Sequence, residues 1–160
     1  MRLNLFFFRN LILLLIFVFF IPVQFIKASE SNELSKLWVS AIENNKKRNH
    51  YAAIDNYSKA LNISPKNHLL FYNRGLTYAN LQLLNQAIND FNSAIKIRSD
   101  FGPAYGDRGM AFYDLNQKDK ACADFKKAAS LKYKLAVSWI NDPKRSSWCI
   151  NCLLYTSDAA

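Results

Sequence analysis

Residues 74–91 read RGLTYANLQLLNQAINDF, and residues 108–125 read RGMAFYDLNQKDKACADF, 34 positions further on. Gly75 aligns with Gly109, Tyr78 with Phe112, Ala87 with Ala121 and Phe91 with Phe125. The register continues in Ala94 and Ala128. One more step back gives AAIDNYSKALNISP at 52–65, with Ala53, Tyr57, Ala60 and Pro65 on the same grid. A fixed period of this length, with small and aromatic residues held in register, predicts stacked helical hairpins. Each hairpin leaves an apolar face bare, so the units hold one another up by stacking.

The held residues have a packing logic. Gly75 and Ala87 are expected to face each other where the two helices of a hairpin come closest. Glycine inside a helix costs ~1 kcal/mol relative to alanine, so its place there calls for a close approach. Tyr78 and Phe91 would fill the space beside that contact, and Ala94 would admit the first helix of the next unit. The first copy departs from the grid, with Ala41 at the glycine position and Asn44 at the aromatic one. That suits a terminal unit with one face toward solvent.

Composition agrees. The chain has 160 residues, 51% of them hydrophobic, which is too apolar for disorder. Four glycines and four prolines are few for an all-β fold. The formal net charge is +9, with Arg2, Arg9 and Lys27 in the leader. The short basic run Lys46-Lys47-Arg48 reads as a solvated helix end, not a nucleic-acid patch, and no nucleic-acid partner is expected.

This pattern resembles the tetratricopeptide repeat family over about residues 34–135. The resemblance implies an all-α fold, an α-solenoid of three stacked helix-turn-helix repeats at 34–67, 68–101 and 102–135. Ser99 and Tyr133 stand where the family favours the proline seen at Pro65. Beyond the repeats, KLAVSWINDP at 134–143 puts Leu135, Trp139 and Ile140 on one helical face, with Pro143 ending the run. A capping helix and tail over 136–151 is expected to cover the last apolar face.

The termini carry other readings. Arg2 and Arg9 precede the apolar run LILLLIFVFFI at 11–21, and small residues follow at Ala28 and Ser29. This order describes a secretory signal peptide over 1–28, cut after Ala28. The alternative is a membrane anchor over 11–26, although a helix of that length spans only about 24 Å of a ~30 Å hydrocarbon core. Either reading places the repeats outside the cytoplasm, in a periplasm or equivalent compartment, with membrane contact only through an uncleaved leader. The closing stretch CLLYTSDAA at 152–160 lacks a helical period and resembles the translation of a transposon-end sequencing adapter. The expectation is that these residues are foreign to the protein. Cys149 and Cys152 would otherwise form a C-x-x-C; without Cys152, two readings of Cys122 stand. It either bridges Cys149 in an oxidising compartment or is a small buried residue at a helix contact.

No catalytic constellation emerges, and no cofactor or metal is expected. His50 and His68 lack metal-type partners at helical spacing. Gly102, Gly106 and Gly109 lack the Lys-Ser/Thr ending of a phosphate loop. Asp107, Asp114, Asp119 and Asp124 read as a solvated acidic helix pattern. The Asn56 and Asn62 sequons are attributed to chance in an Asn-rich chain.

The function expected is therefore binding: an exported scaffold that holds a protein or peptide partner. The alternative is an accessory repeat domain at the front of a longer protein whose activity lies downstream. In the family it resembles, the first helices of successive units line a concave groove. The matching positions here are Trp38, Val39 and Ile42, then Tyr72, Asn73, Leu76 and Asn80, then Asp107, Met110, Tyr113 and Asp114. Some members grip a C-terminal carboxylate with Lys, Arg and Asn at several of these places. This chain keeps only Asn73, with Trp38, Ile42, Pro103 and Asp107 at the others, so such a clamp is not expected. An aromatic, amide-rich groove with acid at its third-unit end suits an extended segment carrying apolar anchors and a basic residue. The competing reading is that Trp38, Tyr72 and Tyr113 only pack against neighbouring helices.

Overall fold

In a computed structural model that describes residues 27–150, the aligned alanines and aromatics become the buried stripe of each second helix. Helix α1 covers residues 27–46. Six more follow in the order α2 (His50–Ile63), α3 (His68–Asn80), α4 (Leu84–Ile97), α5 (Gly102–Asp114), α6 (Lys118–Ser130) and α7 (Lys134–Ile140), and α8 (Pro143–Ile150) closes the series. Among the described residues there is no strand. The expectations for 1–26 and for 151–160 lie outside the described residues.

In α2, Ala53, Tyr57, Ala60 and Leu61 are buried, at the i, i+4, i+7, i+8 spacing of one helix face. Ala87, Phe91 and Ala94 in α4, and Ala121, Phe125 and Ala128 in α6, repeat that stripe. Packing is closest within α3–α4 and α5–α6, and α4–α5 and α2–α3 link successive pairs. Leu34, Leu37, Trp38 and Phe71 close over the Ala41–Ala53–Tyr57 cluster at the first end of the stack.

The close approaches fall where the glycines are. A Cβ placed on Gly75 would lie 2.8 Å from the Phe91 ring and 3.3 Å from the Ala87 carbonyl oxygen. On Gly109 it would meet Asp124 and Phe125 at 3.2 Å. The turn inside each hairpin is a Schellman motif without glycine. Arg48, Gln82 and Asn116, again 34 apart, have φ of 62°, 60° and 58°. Behind each, a 6→1 bond runs to the helix: Asn49 N–H to Asn44 O at 2.8 Å, Leu83 N–H to Tyr78 O at 3.0 Å, and Gln117 N–H to Phe112 O at 2.8 Å. Asn67 caps α3, its side chain accepting from the Leu69 N–H at 3.0 Å.

The C-terminal region differs from the sequence expectation. Two short helices, α7 and α8, replace a single cap, because Pro143 both ends one run and starts the next at a position where its missing N–H is harmless. Ala136 is buried against α6 while Leu135 stays 68% exposed, so the buried face of α7 is rotated from the one read in sequence. The Phe125 ring stacks on Trp139 at 4.1 Å. Cys122 of α6 and Cys149 of α8 form a disulfide, with Cα atoms 5.3 Å apart. Of the two readings of Cys122, the structure has the bridge.

Candidate functional site

The polar interior sets which side chains remain available for binding. Arg74 of α3 donates to both carboxylate oxygens of Asp90 on α4, from Nε at 2.7 Å and Nη2 at 2.8 Å. Its Nη1 reaches back to Ser58 Oγ on α2 at 2.9 Å. One period later Arg108 does the same with Asp124 at 2.7 Å for both bonds, and its Nη1 donates to Asn92 of α4. In the first pair the equivalent positions are Ser40 and Asn56, joined by a 2.9 Å bond from Asn56 Nδ2. The same three places are thus polar-linked through the stack, twice by a bidentate pair. Sequence reading took Asp124 for a solvated acid; its side chain is only 8% exposed because the Arg108 fork neutralises it. The 34-residue grid carried this signal, since Arg74/Arg108 and Asp90/Asp124 are held on it.

Both arginines of α3 and α5 are therefore spent on structure. The face left by the groove positions of the first helices is apolar with amides and two acids, Asp107 and Asp114. Val39 and Ile42 on α1, and Met110 and Tyr113 on α5, are large apolar side chains exposed to solvent. Asn80 and Asp114 are exposed, while Asn73 and Leu76 are half-buried on α3. Trp38 is different: it packs against the first core cluster and behaves as the competing reading expected.

Tyr72 combines both roles. Its ring packs edge-on against Phe101 at 5.0 Å and tilted against Phe91 at 6.0 Å. Its hydroxyl donates to Asp107 Oδ2 at 2.7 Å, joining α3 to α5. Burial, then the Asp107 charge, push the Tyr72 phenol well above its ordinary value, so it stays a donor. Burial also raises Asp107, and the Tyr72 bond opposes this only in part. Asp107 is thus a half-buried carboxylate, another departure from the solvated reading.

Asp107, Met110 and Tyr113 converge on a cleft of about 610 Å³ between α5, α7 and α8. Gly106 opens it. That position matches Tyr72 one period earlier, and in place of a side chain there the ring of Tyr133 leans over, 2.6 Å from where a Cβ would be. Trp139 and Trp148 form the far wall, 5.3 Å apart and edge to face, and Trp148 stacks on Tyr113 at 5.4 Å. Sequence reading found the α5 side of this cleft and missed Tyr133 and Trp148. Ile42, Tyr72, Asn73, Leu76 and Asn80 lie outside the cleft lining, toward the earlier pairs. Among the described residues there is no group of three or more potential metal ligands, and no helix long and apolar enough to cross a membrane.

The sequence matches a family profile described as TPR repeat over residues 49–82 and one described as Tetratricopeptide repeat over 69–101 and 102–135. A DnaJ homolog subfamily C member 7 homolog of Dictyostelium discoideum is 39% identical over 62 residues, covering 36% of this chain and 12% of its own. Hsp70-Hsp90 organizing protein 2 of Arabidopsis thaliana is 31% identical over 51 residues, covering 32% and 9%. The chain thus spans only a small part of the length of these relatives. Among solved structures, the first TPR of Spaghetti (RPAP3) bound to the HSP90 peptide SRMEEVD superposes with a TM-score of 0.63 at 23% identity, covering 80% of this chain and 96% of that one. At that identity the likeness is one of fold.

Proposed function

We propose, from the premise that the chain belongs to the tetratricopeptide repeat family, that it is an exported scaffold holding an extended peptide segment of a protein partner along the first helices of the stack. The observation that carries this is the row of exposed apolar side chains on α1 and α5, interleaved with the amides of α3. Amides can bond a peptide backbone in either sense, and exposed apolar side chains supply anchor area. The HSP90 peptide in the Spaghetti structure is acidic. Here the arginines of α3 and α5 are held by Asp90 and Asp124, and Asp107 lines the cleft at the end of the groove. A partner with a neutral or basic segment fits better than an acidic C-terminal tail.

Export is supported by the leader of basic, apolar and small residues and by the Cys122–Cys149 disulfide, since such bonds persist in oxidising compartments. The lengths of the two relatives favour a second reading, an accessory repeat domain within a larger protein. A longer read of the gene separates the two.

The test of the groove is a pull-down from an envelope fraction with the wild type and an Asn73→Ala, Asn80→Ala, Met110→Ala variant. These side chains are half-buried or exposed, so folding by circular dichroism should persist. Tyr72 is avoided because it is part of the packing. Loss of the partner supports the proposal; full retention by the folded variant overturns it.

A further inference from the structure

The cleft at the α5–α7–α8 end differs from the rest of the groove in having a half-buried acid beside an aromatic wall. Asp107 accepts one bond, from Tyr72, and makes no ion pair among the described residues. A carboxylate has further acceptor sites, so one oxygen can take another donor. Tyr113, Trp148 and Trp139 run beside it as a continuous ring contact, and the faces of Trp and Tyr rings attract cations. The lysines of α6 do not line the cleft; Lys144 of α8 does, but it is exposed and forms no ion pair with Asp107. The cleft therefore offers a negative charge with a cation-friendly wall, in a volume suited to a side chain and its neighbours.

We propose that this cleft is the subsite for a lysine or arginine side chain of the bound segment, its charge set against Asp107 and its stem or guanidinium laid on the Tyr113–Trp148–Trp139 wall. This rests on the peptide-groove reading above and adds its specificity. The Tyr72 bond holds the carboxylate in place, making Tyr72 a positioning residue. Burial of Asp107 gives the cation its advantage, because a carboxylate shielded from water is best satisfied by a charged donor.

Panning the purified protein with a phage-displayed library of random peptides tests this. Enriched peptides should carry a lysine or arginine beside an apolar or aromatic residue. One enriched peptide is then titrated with Trp fluorescence as readout, together with its norleucine-substituted version. Norleucine should weaken binding about tenfold. Asp107→Asn should impose a similar loss on the basic peptide and almost none on the norleucine peptide. That variant keeps an acceptor for Tyr72, so its fold should hold. Enrichment of acidic or uncharged peptides, or a basic peptide that binds the Asp107→Asn protein as tightly as it binds wild type, overturns the subsite while leaving the groove standing. No enrichment of any peptide overturns both.

Discussion

The guanidinium of Arg74 and the carboxylate of Asp90 meet in a bidentate pair across α3 and α4, and the side chain of Asp90 is only 7% exposed. The pair returns 34 residues later as Arg108 and Asp124. Burying such charges is costly, so removing one partner is worse than removing both. Asp90→Ala should therefore destabilise by about 3–5 kcal/mol, whereas Arg74→Met with Asp90→Leu should recover most of that loss. Urea unfolding of the three proteins measures the difference. Equal losses for the single and double variants would show that the pair contributes something other than charge compensation.

The two aligned glycines should respond unequally to alanine. A Cβ at Gly75 runs into the Phe91 ring at 2.8 Å and lies near a backbone carbonyl, while one at Gly109 meets side-chain atoms at 3.2 Å. Alanine gains ~1 kcal/mol of helix propensity at either site. Gly109→Ala should be near neutral, and Gly75→Ala destabilising by about 1–3 kcal/mol through overpacking. Melting curves decide, and a Gly75→Ala protein as stable as wild type would contradict the close approach.

This contrast shows what the sequence could and could not convey. The period, the helix pairing and the buried alanine–aromatic stripe were legible because volume is constrained at each helix contact. The hairpin turns were not, because Arg48, Gln82 and Asn116 take a left-handed conformation that usually advertises itself as glycine. The α5 half of the cleft followed from repeat position. Its other half comes from Tyr133, at the end of the third unit, and from Trp139 and Trp148, which lie past the last full period and are placed by tertiary packing and the disulfide. Nor did composition distinguish the buried Asp124 from its exposed neighbour Asp119; the burial of Asp124 follows from the Arg108 fork on α5, which its place on the 34-residue grid announces.

Glycine at one of those turns should stabilise the protein. Gln82 has φ of 60° at the position following the α3 cap, where a Cβ is penalised. Gln82→Gly should raise stability by up to about 1 kcal/mol, after the entropy of the more flexible unfolded chain is offset. Thermal unfolding of this variant gives the sign. A drop in midpoint would mean that the exposed glutamine side chain contributes more than the backbone strain costs.

Removing the disulfide should loosen the far wall of the cleft. Cys122 and Cys149 stand 27 positions apart in the chain, and a loop of that size corresponds to about 3–4 kcal/mol in the chain-entropy account. The Cys122→Ser, Cys149→Ser protein should melt earlier, and the fluorescence of Trp148 should move toward that of an exposed indole. An unchanged melting point, with thiol-reactive mass tagging confirming the bridge in wild type, would contradict the attachment of α8.

Acidity should act through Asp107. Its folded value is raised by burial, so the folded protein holds that proton more tightly than the unfolded chain does. Its contribution is then fully present below the unfolded value and declines as pH rises through the raised folded one. Asp107→Asn should remove that decline and increase the melting temperature at neutral pH relative to wild type. Parallel pH–stability curves for the two proteins would show that Asp107 is solvated.

The central claim is that the first helices, not the second, receive the partner segment. The direct measurement is the amide chemical-shift map of the isotopically labelled protein titrated with an enriched peptide. The account predicts that shifts concentrate on α3 and α5, around Asn73, Asn80, Asp107 and Tyr113, and extend to Trp148. Shifts confined to the α4 and α6 surfaces, around residues such as Asn89, Asn92 and Lys127, would contradict it.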